Sequence, residues 1–164
     1  MSIPALQAMW FLPFVLPICL YVAYTDLAQM RITNQTVMAL AVIFVVIGFF
    51  LMPFNDYLWK LAVLVIVMIV GVILNAAGAM GAGDAKFIAV AAPYLALGDL
   101  QFVMMLFMAI LLAAALTHRV VKHTPLRRLA PEWESWDRGK KFPLGLALGP
   151  CLAVYLILGA LLGA

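Results

Sequence analysis

The feature that most constrains this chain is a set of long stretches without a single charged side chain. Residues 4–25, 37–55, 61–83, 100–117 and 142–164 carry none, and Leu61 to Leu74 is apolar throughout. About 20 such residues cross a hydrocarbon core as an α-helix, and a helix satisfies its own backbone polar groups there. A continuous apolar run lacks the in–out alternation that a membrane β-strand needs. Only 10% of the residues are charged, against about a quarter in a soluble domain. The expectation is an all-α, polytopic membrane protein built as one domain over residues 1–164.

A further uncharged run, 87–98, has only 12 residues. A fourth helix must therefore begin near Asp84, or it crosses only part of the bilayer. Counting it gives six transmembrane helices. Pro13 and Pro17 are expected to kink the first, and Thr33 or Asn34 to cap the second. Residues 56–60 read as a turn, with Tyr57 and Trp59 as interfacial aromatics. The small residues Ala76, Ala77, Gly78 and Ala79 would permit close helix packing. Gly98-Asp99 reads as a tight turn, with Asp56 and Asp99 solvated. No basic region precedes the first apolar run, so it reads as a retained helix rather than a cleaved signal peptide. Cys19 and Cys151 lie inside apolar runs without metal-site spacing and read as packing residues.

The basic residues are unevenly placed. Arg31, Lys86 and seven Lys/Arg of the 118–141 loop fall on one side of the expected topology, and of the ten only Lys60 falls on the other. The positive-inside rule then puts both termini outside the cytoplasm, and Asp26 and Asp84 at cytoplasmic helix ends. Within the loop, His118 and His123 read as loop histidines, and Trp133 and Trp136 as a short interfacial piece. Glu132, Glu134 and Asp137 read as a solvated acidic face. The basic cluster reads as an orienting element in contact with anionic lipid. Nothing suggests a nucleic-acid partner.

Against this apolar background Asp84 stands out, flanked by glycines in Gly81-Ala82-Gly83-Asp84-Ala85-Lys86. A carboxylate at the centre of a membrane helix costs roughly 3 kcal/mol, and less near the interface. The expected partner is Asp26, at the end of another apolar run and at the same membrane depth. Two carboxylates held together share a proton and titrate in separated steps. One takes a proton from water while the other donates to a scissile carbonyl. That chemistry needs no metal, no cofactor and no covalent intermediate. Gly81 and Gly83 would let a substrate backbone approach and adopt dihedrals that other residues resist. The plainer role for Asp84 is a cap on the fourth helix. Lys86 lies about 200° around a helix from Asp84 and reads as a lysine reaching to the interface.

Gly81 to Lys86 resembles the GxGDxK motif of the prepilin peptidases, the type IV leader peptidase family of membrane aspartyl proteases. Asp26 followed by Arg31-Ile32-Thr33-Asn34 resembles that family's first catalytic aspartate and its trailing segment, with Thr33 where proline is usual. Phe142-Pro143-Leu144-Gly145 resembles the entry to its last helix. The resemblance implies Asp26 and Asp84 as the catalytic pair, with Gly81, Gly83 and Lys86 supporting the motif. It implies cleavage of a short basic leader from prepilins or pseudopilins at the cytoplasmic membrane edge. The chain shows no cysteine-containing domain of the kind with which many members methylate the new N-terminus. It therefore resembles the short form associated with tight-adherence (Flp-type) pili, and methylation is not expected. An archaeal preflagellin peptidase is a related reading. Readings from other classes are a small transport subunit with Asp84 and Lys86 along an ion path, and a non-catalytic assembly protein.

Overall fold

A computed structural model describes residues 1–136 and 142–164, so Asp137, Arg138, Lys140 and Lys141 of the polar loop lie outside the described residues. The described residues form six α-helices, joined by short links and 3₁₀ turns: α1 (Ala5–Gln29), α2 (Asn34–Leu51), α3 (Phe54–Ala76), α4 (Ala82–Ala91), α5 (Leu100–Lys122) and α6 (Gly145–Leu162). Five segments are long and apolar enough to cross a membrane, the fourth counted from Leu97 through α5. The chain is a multi-pass membrane protein. The exception is α4, whose 10 residues rise about 15 Å, half the hydrocarbon thickness of about 30 Å. A 3₁₀ turn at Ala92–Tyr94, with Pro93 inside it, ends the helix. The helix does begin near Asp84, at Ala82, but of the six transmembrane helices expected it is the one that is not long enough to span by itself.

Helix α6 is the axis of the bundle. Of its membrane-length window 56% is buried, against 11% for α3 and 6% for α5. It packs most extensively on α1, because Gly149 carries no side chain where the two backbones meet: a Cβ there would strike the Cys19 carbonyl. Cys19 and Cys151 are buried and unbridged in this contact, as packing residues. On the other side Gly71 of α3 faces Ala85 of α4, with a Cβ-to-Cβ distance of only 3.1 Å if one were added. Aromatic rings fill the middle. Phe11, Phe44 and Tyr94 meet at centroid distances of 4.8 to 5.9 Å, and the Tyr94 hydroxyl donates to the Leu40 carbonyl at 2.6 Å.

Several boundaries differ from the sequence reading. Residues 56–60 are the first turns of α3, which starts at Phe54 behind Pro53. Proline has no N–H to lose at a helix start, and Asp56 in the first turn faces unpaired N–H groups. Tyr57 accordingly points inward: it is buried, stacks on Phe44 and donates to the Val45 carbonyl. Trp59 is exposed, as an interfacial ring would be. The small residues at 76–79 do not pack a helix. They form a terminator in which Gly78 takes φ +74° and the Ala79 and Gly78 N–H groups return to the Leu74 and Asn75 carbonyls. This is the Schellman pattern, which favours glycine. Thr33 is the cap of α2, its hydroxyl accepting from the Thr36 N–H. His118 lies within α5 rather than in a loop, and it stacks on Trp136 at 4.8 Å.

Asp99 is the largest departure. Expected in solvent, it is only 5% exposed. Its carboxylate accepts from the Ser2 N–H at 2.7 Å, the Ile3 N–H at 3.1 Å and the Tyr155 hydroxyl at 3.0 Å. The reason lies at the chain ends. Ala5 donates to Ala164 and Ala164 to Ile3, and the amides just before α1 need an acceptor that the helix does not provide.

Candidate active site

At the opposite end of the bundle, α1 places Asp26 in its last turn. The Asp26 carbonyl accepts from Met30 N–H, and Met30 takes the left-handed φ of 51° that turns the chain away. The Asp26 side chain is 4% exposed. Its Oδ2 accepts the N–H of Gly145, the first residue of α6, at 2.6 Å. A methyl on Gly145 would lie 2.9 to 3.1 Å from three Asp26 atoms, so only glycine lets this amide reach the carboxylate. The sequence reading included Gly145 in a motif but gave it no task. Its signal was a glycine at a helix start two residues after a proline.

Asp84 sits in the first turn of α4 and is half-buried. It is not the cap: Gly81 holds that position, with no side-chain hydrogen bond. Gly81 and Gly83 both line the cavity described below, without the unusual dihedrals expected of them. Gly81 has an ordinary φ of −65°, and Gly78 is the described glycine with positive φ. The space that Gly81 leaves is taken by Asp84 itself, whose Oδ2 would be 2.6 Å from an added Cβ. The space at Gly83 is taken by Ile32, at 3.3 Å. The glycines thus seat Asp84 and the α1–α2 link against α4.

The two carboxylates line one cavity of about 600 Å³. The α1–α2 link contributes Met30, Arg31 and Ile32, and the α3–α4 link contributes Gly78 and Met80. Phe142 and Leu144 close it from the entry to α6. The aspartates lie within electrostatic range of one another. Lys86 does not line the cavity; it is exposed and donates from Nζ to Asn34 Oδ1 at 2.9 Å. This bond fastens the start of α4 to the start of α2, beside the Ile32–Gly83 contact.

The polar loop returns to this end. Trp136 is buried, stacks on His118 and Trp133, and donates from Nε1 to the Ala130 carbonyl. Trp133 meets Tyr24 of α1 edge-on at 6.3 Å. The tryptophans thus pack the loop onto the helix that carries Asp26.

An all-helical membrane bundle with two aspartates on one cavity at a single end has the layout of an intramembrane aspartyl protease. The sequence model of the type IV leader peptidase family matches residues 13–118. The chain belongs to that family and is an aspartic endopeptidase of the prepilin peptidase kind. The match takes in Asp26, Arg31 to Asn34 and Gly81 to Lys86, and it ends before α6. No curated protein and no solved structure matches the chain.

Proposed function

We propose that the chain removes the short basic leader from a prepilin or pseudopilin, with Asp26 and Asp84 as the catalytic pair and water as the nucleophile. The observation that carries this reading is the shared cavity: helices distant in sequence bring two carboxylates to one space at one end of the bundle. A carboxylate in the ionised form takes a proton from water, and the resulting hydroxide attacks the scissile carbonyl carbon. The protonated partner donates to the carbonyl oxygen, giving a tetrahedral diol. The C–N bond then breaks as the protonated member gives its proton to the leaving nitrogen and the ionised member takes one from a diol hydroxyl, which leaves a carboxyl group and returns the dyad to its shared-proton state. The Gly145 amide fixes one Asp26 oxygen through this sequence. Gly81 and Gly83 seat Asp84, and Lys86 with Asn34 braces the helix that carries it.

The charge distribution supports a cytoplasmic active site and non-cytoplasmic termini. Arg31 and Lys86 lie at the aspartate end, whereas Lys60 reaches the Leu95 carbonyl near the other. The short α1–α2 and α3–α4 links, and cysteines confined to α1 and α6, support a substrate of the tight-adherence (Flp) type and cleavage without methylation. The reading treats residues 1–164 as one catalytic domain.

The test is co-expression with a Flp-type prepilin, read by the gel shift of the cleaved product. Wild type is expected to cleave, and Asp26→Asn and Asp84→Asn to leave the precursor intact. Cleavage that survives either substitution removes that residue from the pair.

A further inference from the structure

Beneath the aspartate cavity the bundle leaves a second space, of about 360 Å³, between α4 and α5 with α6 behind it. Among the described residues α5 packs on α6 and on the turns at its own two ends, and scarcely on α4. The angle between α4 and α5 is therefore an unfilled crevice. Every side chain that lines it is apolar, with neither a charge nor a hydroxyl. Its floor is buried at Phe87 and Leu152, and its rim is exposed at Leu100 and Met104. From α5 it takes Leu100, Val103, Met104 and Phe107, the i, i+3, i+4, i+7 spacing of one helix face. That face covers about 10 Å of membrane depth.

The position of the crevice identifies its occupant. Its α4 wall starts at Phe87, three residues past Asp84. Its α6 wall starts at Leu148, three residues past the Gly145 amide that holds Asp26. Three residues are about one helical turn. The apolar space thus begins one turn below the dyad, on the helix that carries one aspartate and the helix that holds the other. A peptide cut between the aspartates leaves their cavity in two directions. A basic leader is retained on the side that carries Arg31 and Lys86. The other arm continues into hydrocarbon, where a chain has to be helical and apolar.

We propose that the α4–α5 crevice seats the apolar helix that follows the scissile bond of the substrate, and so sets that bond at the depth of Asp26 and Asp84. The proposal rests on the leader-cleavage reading above. A lipid acyl chain matches the lining but makes no use of the crevice's start beside the dyad.

The test is site-specific photocrosslinking in the full chain, with benzoylphenylalanine at position 104 or 105 and a Flp-type prepilin co-expressed. Met104 lines the crevice and is 55% exposed; Met105, at nearly the same depth and 60% exposed, lies outside it. Both positions meet lipid, so only a seated substrate separates them. The Asp84→Asn background keeps the precursor whole, and the adduct is read without reference to cleavage. A prepilin adduct is expected from position 104 and is lost at position 105. Met104→Trp fills the crevice from its rim and is expected to raise the KM of prepilin cleavage about tenfold with kcat unchanged. Met105→Trp changes neither. No prepilin adduct from position 104, equal adducts from both positions, adducts with lipid alone, or an equal effect of the two tryptophans on KM overturns the crevice as the seat of the helix. Cleavage that survives Asp84→Asn instead overturns the dyad, and the adduct pattern still decides the crevice.

Discussion

The two ends of the bundle each bury an aspartate, and they treat it in opposite ways. Asp99 is saturated: two backbone amides and a tyrosine hydroxyl converge on its carboxylate. Asp26 receives the Gly145 amide, with the Leu146 amide beside it, and otherwise faces the cavity that it shares with Asp84. No hydrogen bond to Asp84 is formed among the described residues. A carboxylate whose lone pairs are all engaged holds the structure together. One that is held by backbone amides at the start of one helix, beside a second carboxylate and room for water, has the surroundings that proton transfer needs. Burial is nearly equal, 4% and 5% exposed, so it is the partners that separate the two roles.

The contrast breaks most sharply at the dyad. Asp26→Asn and Asp84→Asn should each lower the cleavage rate by about 10²–10⁴-fold, with thermal unfolding in detergent close to that of wild type. Asp99→Asn should do the reverse: its amide turns a donor toward N–H groups, costing about 2 kcal/mol of stability, while cleavage per folded molecule persists. Loss of cleavage in a folded Asp99→Asn protein would erase the distinction between the ends. Gly145→Ala sharpens the comparison, because the added methyl must push the Asp26 carboxylate aside. A shift of about 1 Å costs roughly 10²-fold in rate, seen in single-turnover cleavage of a prepilin. Tyr155→Phe removes one of the three donors to Asp99 and the acceptor of the Ala96 N–H. It should lower stability by about 1 kcal/mol without altering the rate per folded enzyme. The smallest effect is expected at Lys86→Met. The bond to Asn34 is exposed, so the loss should be below about 1 kcal/mol, with Asn34→Ala giving the same value and the double variant no more.

The helices and the aspartates were legible for one reason. In an apolar chain every charge is conspicuous, because its presence has to be offset by something. The apolar runs therefore marked six helices, of which five are long and apolar enough to cross, and Asp84 behind its two glycines marked the candidate site. Helix ends were legible where the signal was chemical, as at the Thr33 cap. They were misread where composition was ambiguous: Asp56 and Lys60 suggested a turn, yet they lie in the first two turns of α3. The glycines of the motif were legible as a place for close approach, but not the contacts that they make within the fold. A sequence shows that Gly81 and Gly83 lack side chains, but not that Asp84 and Ile32 occupy the space.

By itself the sequence determined a helical membrane protein and its family, and it pointed to the two aspartates that line one cavity, because hydrophobic runs and local motifs act over a few residues. The tertiary structure alone decided that α6 reaches back 119 residues to hold Asp26, that Asp99 latches the chain ends, and that Trp136 and His118 pack the polar loop onto the bundle. Those contacts join residues far apart in the chain. They are set by how the helices cross, and a long-range hydrogen bond imposes no periodicity by which its partners can be recognised.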